Sequence, residues 1–406
     1  TAVFNSENAG IMFGDINNCV INNTNFKIIS QNVTLNAKEI MNFGLFAGKI
    51  NNSAITNNTF EITNNSTVIT LGGAKDSAHT SLNVGGLSGI FNNSTYKSTQ
   101  NLIFKNSDKN IWTLTNNCKF NEHLNASLMF GYASNSNIES LSSTEFNVIN
   151  NVEVKSLNVS QVIAMSTASN ISNTQVYAIN VTEGAGSQID TLAVGSMVGT
   201  NLRATTLGYN GIVKFNSKIN VKAKVYNMYV GGFVGSSTSA NSLVELAQFT
   251  GDINVINEQI GSEIIIGNKK TTTYACTYVG GILGNSNGLV GMSNVLSAGN
   301  ISVQTNEDAK CITAVGGLIG VSKSNSNINN FAVLTTITLG NDKYVASNNN
   351  CFVSGVIGNN TGLFSGENGF TLVELPNNLG VQTSAIANNS ISNSVSNIFY
   401  AQEALS

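Results

Sequence analysis

A short phrase, apolar-Gly-Gly-apolar-apolar-Gly, returns about ten times along this chain. Its strict copies are Val84-Gly85-Gly86-Leu87-Ser88-Gly89, Val230-Gly231-Gly232-Phe233-Val234-Gly235, Val279-Gly280-Gly281-Ile282-Leu283-Gly284 and Val315-Gly316-Gly317-Leu318-Ile319-Gly320. Looser copies end at Gly14, Gly48, Gly131, Gly199 and Gly358. One further copy, Val159-Ser160-Gln161-Val162-Ile163-Ala164, has lost its glycines. Successive copies end roughly 33 to 49 residues apart, a period that belongs to solenoids and arrays. Units of that size cannot bury an apolar face alone and must stack. A length of 406 residues would otherwise suggest two or three domains. The repeat overrides that prior and predicts one elongated domain over residues 1–406.

Between copies the chain alternates. After Val230 to Gly235 and a polar turn cluster, Leu243, Glu245, Ala247 and Phe249 fall on one face and Val244, Leu246 and Gln248 on the other. Gly251-Asp252 breaks the run, and Ile253-Asn254-Val255 alternates again. Period-two alternation between turn clusters means strands. Runs such as Thr335-Thr336-Ile337-Thr338-Leu339 are β-branched, which favours strand over helix. The fold class is therefore all-β, a parallel β-helix or β-solenoid of about ten coils, with right-handed crossovers expected. Read as a continuous strand, the phrase puts Val315, Gly317 and Ile319 on one face and Gly316, Leu318 and Gly320 on the other. Both faces then carry apolar groups, and glycine admits close neighbours.

Asparagine makes up about one residue in six and crowds the turns after the phrase, as in Ile16-Asn17-Asn18 and Phe91-Asn92-Asn93. Asn tolerates left-handed backbone and bonds its own main chain. Stacked coil over coil, such residues can form amide ladders. The single proline, Pro376, stands where the repeat fades.

Several function classes find little here. Charged residues are 10%, against roughly 25% in an average soluble protein. Net charge is -3 and Arg203 is the only arginine, so no basic stripe for nucleic acid exists. No run of 18 apolar residues offers a membrane span. No basic segment followed by an apolar run opens the chain, which starts almost inside a repeat; a trimmed segment is expected, with anchor or cap outside it. His79 and His123 are the only histidines, and neither has an obvious partner. The 22 acidic residues are scattered; Asp15 and Asp252 follow different parts of the repeat, and Glu307-Asp308 is isolated. The nearest calcium-stacking pattern, Leu71-Gly72-Gly73-Ala74-Lys75-Asp76, lacks its third glycine. No catalytic, cofactor-binding or metal-binding residue is assigned, and no cofactor is expected.

The five cysteines are too sparse for a disulfide scaffold. Cys311 and Cys351 precede their phrases by four and two residues, which puts them on one face of adjacent coils. They are either a disulfide or two buried free thiols. About fifteen N-glycosylation sequons occur, among them Asn22, Asn32, Asn125, Asn158, Asn300 and Asn388. The Asn, Ser and Thr content gives nearly as many by chance.

The copies at Val230 to Gly235, Val279 to Gly284 and Val315 to Gly320 resemble the GLUG motif, a glycine-punctuated repeat of bacterial and protist surface proteins. That motif occurs in non-catalytic regions of anchored and secreted proteins, some immunoglobulin-cleaving peptidases included. The resemblance implies an extracellular or cell-surface β-solenoid and carries over no catalytic residue. The expected function is structural or adhesive. The expected partners are surface or host glycans or proteins, or copies of the chain end to end. A β-helical polysaccharide-degrading enzyme or a glycan-binding spike is the alternative.

Overall fold

The computed structural model describes residues 7–404, apart from 31–32, 37–40, 65–66, 71–78, 107–108, 185–186, 239–241, 267–268, 307, 341–349, 379 and 390. Asn32, residues 71–76 and Glu307 lie outside the described residues. The described chain is strand and turn without helix, wound as a parallel β-solenoid.

One coil shows the plan. Ala275–Gly280 belongs to a first sheet and Leu283–Ser286 to a second. Val290–Ser297 and Asn300–Thr305 both belong to a third. The next coil repeats this with Cys311–Gly316, Ile319–Ser322, Ser326–Val333 and Thr336–Leu339. Among the described residues the first sheet holds eleven strands and the second ten, each bonded in parallel to its counterpart one coil away. At about 4.8 Å per strand the stack is roughly 50 Å long. One buried apolar cluster runs through it from Ala9 to Leu375. Within it Phe104, Trp112 and Phe146 stack at 5.4 and 5.1 Å between ring centres.

The phrase is not one strand, as alternation suggested, but the corner between two. Gly316 ends one strand, Gly317 and Leu318 form the bend, and Ile319 begins the next. Each glycine then has its own reason. A Cβ on Gly317 would point into the core, 2.2 Å from Gly355 O and 2.4 Å from Val333 Cγ1. Cβ atoms on Gly316 and Gly320 would strike main chain where the first and second sheets fold against each other: Gly358 N at 2.6 Å for one, Val279 N at 2.6 Å for the other. Glycine is required here by close approach, not by backbone angle. In the degenerate copy, Gln161 replaces the core glycine and uses the space. Its buried Nε2 donates to Thr144 O at 2.8 Å and Ala178 O at 2.7 Å.

Among the described residues fifteen non-glycine residues have positive φ, and all are asparagine except Ala168 and Ala204. Asn18, Asn52, Asn93 and Asn135 form one corner column, each just after a second-sheet strand. L-residues other than Asn and Asp rarely enter this region. A serine follows three of them: Ser53, Ser94 and Ser136 are buried, and their hydroxyls accept the N–H of Cys19, Ser53 and Ser94, one coil below. The Asn-Asn-Ser tracts at 51–53 and 92–94 are therefore structural corners that happen to read as sequons.

The step of 49 residues before Gly284 comes from an inserted antiparallel hairpin, Ser262–Ile266 with Lys269–Thr273. An eleventh, glycine-free copy closes the array. Ser384 pairs with Ser354, Ala387 bridges Ile357, and Asn388 takes the place of the last glycine. The last long strand, Ile391–Ala404, pairs along Leu363–Leu375.

Candidate binding faces

Three outward features could meet a partner. The first is the notch where the outer faces of the first and second sheets turn toward each other. Asn8, Asn42, Asn83, Asn125 and Asn158 are register neighbours in the first sheet. Nδ2 of Asn42, Asn83, Asn125 and Asn158 donates to Oδ1 of the asparagine one coil below, at 2.8, 2.8, 2.7 and 2.7 Å. Thr200, on the second sheet, donates to Asn158 Oδ1 at 2.6 Å. Beyond this point the column turns apolar, through Ala193, Tyr229, Tyr278, Ala314 and Phe352. Tyr229 and Tyr278 stack at 5.5 Å, and Tyr278 packs with Ala314, Val321 and Phe352 as a second cluster outside the main core. Burial pushes the Tyr229 hydroxyl up to about 12. The notch is filled by its own side chains and is part of the packing. Its signal was present in the sequence: asparagine immediately precedes five successive copies of the phrase.

The second feature is a groove of about 590 Å³ on the third sheet. Its floor is the register column Thr206, Leu243, Gly291, Asn327 and Ser365, one residue from each of five coils. Leu289 and Leu363 form a wall, and no charged residue lines it.

The third is polar. A cavity of about 350 Å³ lies at a corner of four successive coils, lined by Glu145, Tyr177, Asn180, Lys218, Asn220 and Asp252 among others. Asn180 Nδ2 donates to Glu145 Oε1 and to Asn147 Oδ1, both at 2.8 Å. Asn220 donates to Asn180 at 2.7 Å and Asn254 to Asn220 at 2.9 Å. Asp252 accepts from Asn300 at 2.9 Å. Lys218 and Asp252 are register neighbours, yet among the described residues Lys218 makes no ion pair. Tyr177 is 45% exposed at the mouth.

The residues singled out from sequence are scattered. Cys351 pairs in register with Thr313, whereas Cys311 pairs with Ala275. The two share a face but are offset by two residues along the strand, about 6.6 Å of rise. Both are buried free thiols, so the disulfide alternative is not what forms. Burial raises both thiols above the ordinary range. Three of the sequon asparagines are corrected by burial: Asn125 and Asn158 sit in the amide ladder. Asn388 donates to Val353 O, Gly358 O and Gln382 O at 3.1 Å each, and to Ser354 Oγ at 2.9 Å. A glycan needs that nitrogen free at the surface. Asn22 and Asn300 are exposed. Asp15 accepts from Asn8 at 3.0 Å, far along the rod from Asp252. His123 is half-buried, and burial lowers its pKa. Among the described residues no group of three His, Cys, Asp or Glu side chains could hold a metal ion, and no helix is long and apolar enough to cross a membrane. In comparisons with protein-family models, curated proteins and solved structures, nothing matches this chain.

Proposed function

We propose that this chain is a non-catalytic structural or adhesive module of an extracellular or cell-surface protein, a rod that presents a neutral hydrogen-bonding surface. The supporting observation is how the outward faces are built. Amide columns such as Asn147, Asn180, Asn220 and Asn254 repeat at coil spacing, and the ion pairs among the described residues are four, all solvent-facing. Such a surface offers many weak, evenly spaced hydrogen bonds, which suits contact with glycans, with surface proteins, or with further copies of itself. The GLUG-like phrasing of the corners agrees with a surface location. Exposed Asn22 is a sequon at which a glycan would fit, whereas Asn300 holds its side-chain nitrogen on Asp252.

The rival is a β-helical enzyme acting on polysaccharide, for which Glu145 and Asp252 in one cavity are the natural carboxylates. The test is a reducing-sugar and mass-spectrometric screen of the purified chain against neutral and acidic polysaccharides. No turnover is expected. Turnover lost on Glu145→Gln or Asp252→Asn would replace the structural reading by the enzymatic one.

A further inference from the structure

We infer that the third sheet carries a binding strip for a neutral oligosaccharide, laid along the strands of three coils from the Tyr177 corner toward Glu258. The inference rests on the adhesive reading and names its ligand class. Two separate cavities mark the ends of this strip. One is the 350 Å³ cavity beside Tyr177; the other, about 290 Å³, is lined by Thr182, Glu183, Lys222, Ala223, Lys224 and Glu258. The strand Lys218–Ala223 joins them. Its inward residues Ile219, Val221 and Ala223 are buried, and Lys218, Asn220 and Lys222 face out between the cavities. Five residue steps at about 3.3 Å put the two ends about 17 Å apart, long enough for several sugar rings.

The chemistry between the ends is that of hydroxyl recognition. A sugar hydroxyl donates and accepts at once, so it needs side chains that do both at fixed positions. An amide offers two donors and a carbonyl oxygen, and carboxylates accept only. In the strip the amides are held in place by their own ladder. Asn220 spends one N–H on Asn180 and receives one from Asn254, which fixes its plane while another N–H remains for a ligand. Glu145 and Asp252 are likewise oriented by Asn180 and Asn300. Preorganised groups lose little freedom on binding. The half-exposed Tyr177 ring supplies a flat apolar face with a polar rim, suited to the C–H face of a pyranose.

Charge selects the class. The two cavities hold Glu145, Asp252, Glu183 and Glu258 against Lys218, Lys222 and Lys224, a near balance. A polyanion would meet the carboxylates, and a polycation the lysines; a neutral chain meets both signs only as hydrogen-bonding groups.

The experiment is isothermal titration of the full chain with cellohexaose and with chitohexaose, with heparin as the polyanionic comparison. Saturable binding of at least one neutral hexamer is expected, with heparin weaker. Tyr177→Ala and Asn220→Ala are each expected to weaken it tenfold or more, while Tyr209→Ala, another exposed tyrosine outside both cavities, leaves it unchanged. Circular dichroism confirms that each variant is folded. The inference is overturned if neither hexamer saturates, if heparin binds more tightly, or if Tyr177→Ala and Asn220→Ala bind like the parent. Any of those results without polysaccharide turnover leaves the non-catalytic rod standing; turnover removes that reading instead.

Discussion

Thr200 donates its hydroxyl to Asn158 Oδ1 at 2.6 Å, and with that contact a column of five asparagines stops. Above it the equivalent position is Ala193, which has no side-chain donor to offer. The threonine comes from the other sheet, so the ladder is closed by the wall of the notch. Every interior amide of the column thus has a partner above and below.

Removing the middle rung tests this. Asn125→Ala leaves Asn83 Oδ1 without its donor and Asn158 Nδ2 without its acceptor, in a buried site. A buried group left unpaired costs about 1–3 kcal/mol. Asn254→Ala, on an outward column, is expected to change stability by less than about 0.5 kcal/mol. Urea unfolding of both variants checks the contrast; equal effects would mean that the buried ladder carries no special weight.

The glycines of the corner are not equivalent to glycines elsewhere. Gly317→Val forces a side chain against Gly355 O and Val333 and is expected to cost about 1–3 kcal/mol or more. At Gly291 the nearest atom to a new Cβ is Leu243 Cδ1 at 3.0 Å, the end of a flexible side chain. Gly291→Ala is expected to fold with nearly the parent melting temperature. A Gly317→Val chain that melts with the parent would refute the packing account of the bend.

Thiol chemistry should separate one cysteine from the rest. Cys19 is exposed, whereas burial pushes Cys118 up to about 12 and raises Cys276, Cys311 and Cys351. The thiolate is the reactive form. At pH 8 a disulfide reagent should label Cys19 quickly in the native protein and the other four only on unfolding. Finding three thiols in the unfolded, unreduced chain would reveal a disulfide that the register argues against.

Acid should find His123. Burial lowers its pKa below the ordinary 6.5, with Glu122 opposing and Lys155 assisting. The unfolded chain therefore takes up a proton that the folded chain refuses. Stability from this residue is complete above about pH 6.5 and is lost as pH falls toward the lowered folded value. Urea midpoints at pH 7.5 and 5.5 should differ more in the parent than in His123→Gln. The same difference in both would assign the acid sensitivity elsewhere.

Much of the architecture was legible because the repeat is a ruler. The phrase positions fall at one corner of every coil, and the Asn-rich tracts fall at the next. Alternation counts residues but does not see a bend. Val315 to Gly320 alternates as a strand would, yet Gly317 and Leu318 turn the chain. The eleventh copy escaped notice because Ser384 and Asn388 stand where glycines mark the others. The offset of Cys311 and Cys351 is written in the sequence as four residues against two, and parity fixes only the face they share, not their positions along the strand. The polar strip was not legible at all. Glu145, Tyr177, Lys218 and Asp252 occupy corners whose spacing varies with each coil's insertions, and only the register brings them together.

The amide column in the notch also has a direction. Each asparagine donates toward the start of the chain and accepts from the coil above, so the side-chain dipoles of Asn42, Asn83, Asn125 and Asn158 add instead of cancelling. The positive pole of the sum lies at Asn8, and there Nδ2 meets the carboxylate of Asp15 at 3.0 Å. The negative pole lies at Asn158 Oδ1, where the hydroxyl proton of Thr200 arrives. The rod is thus an electrically oriented object along half its length, with its terminal charges matched by a side chain of opposite sign at one end and a proton donor at the other.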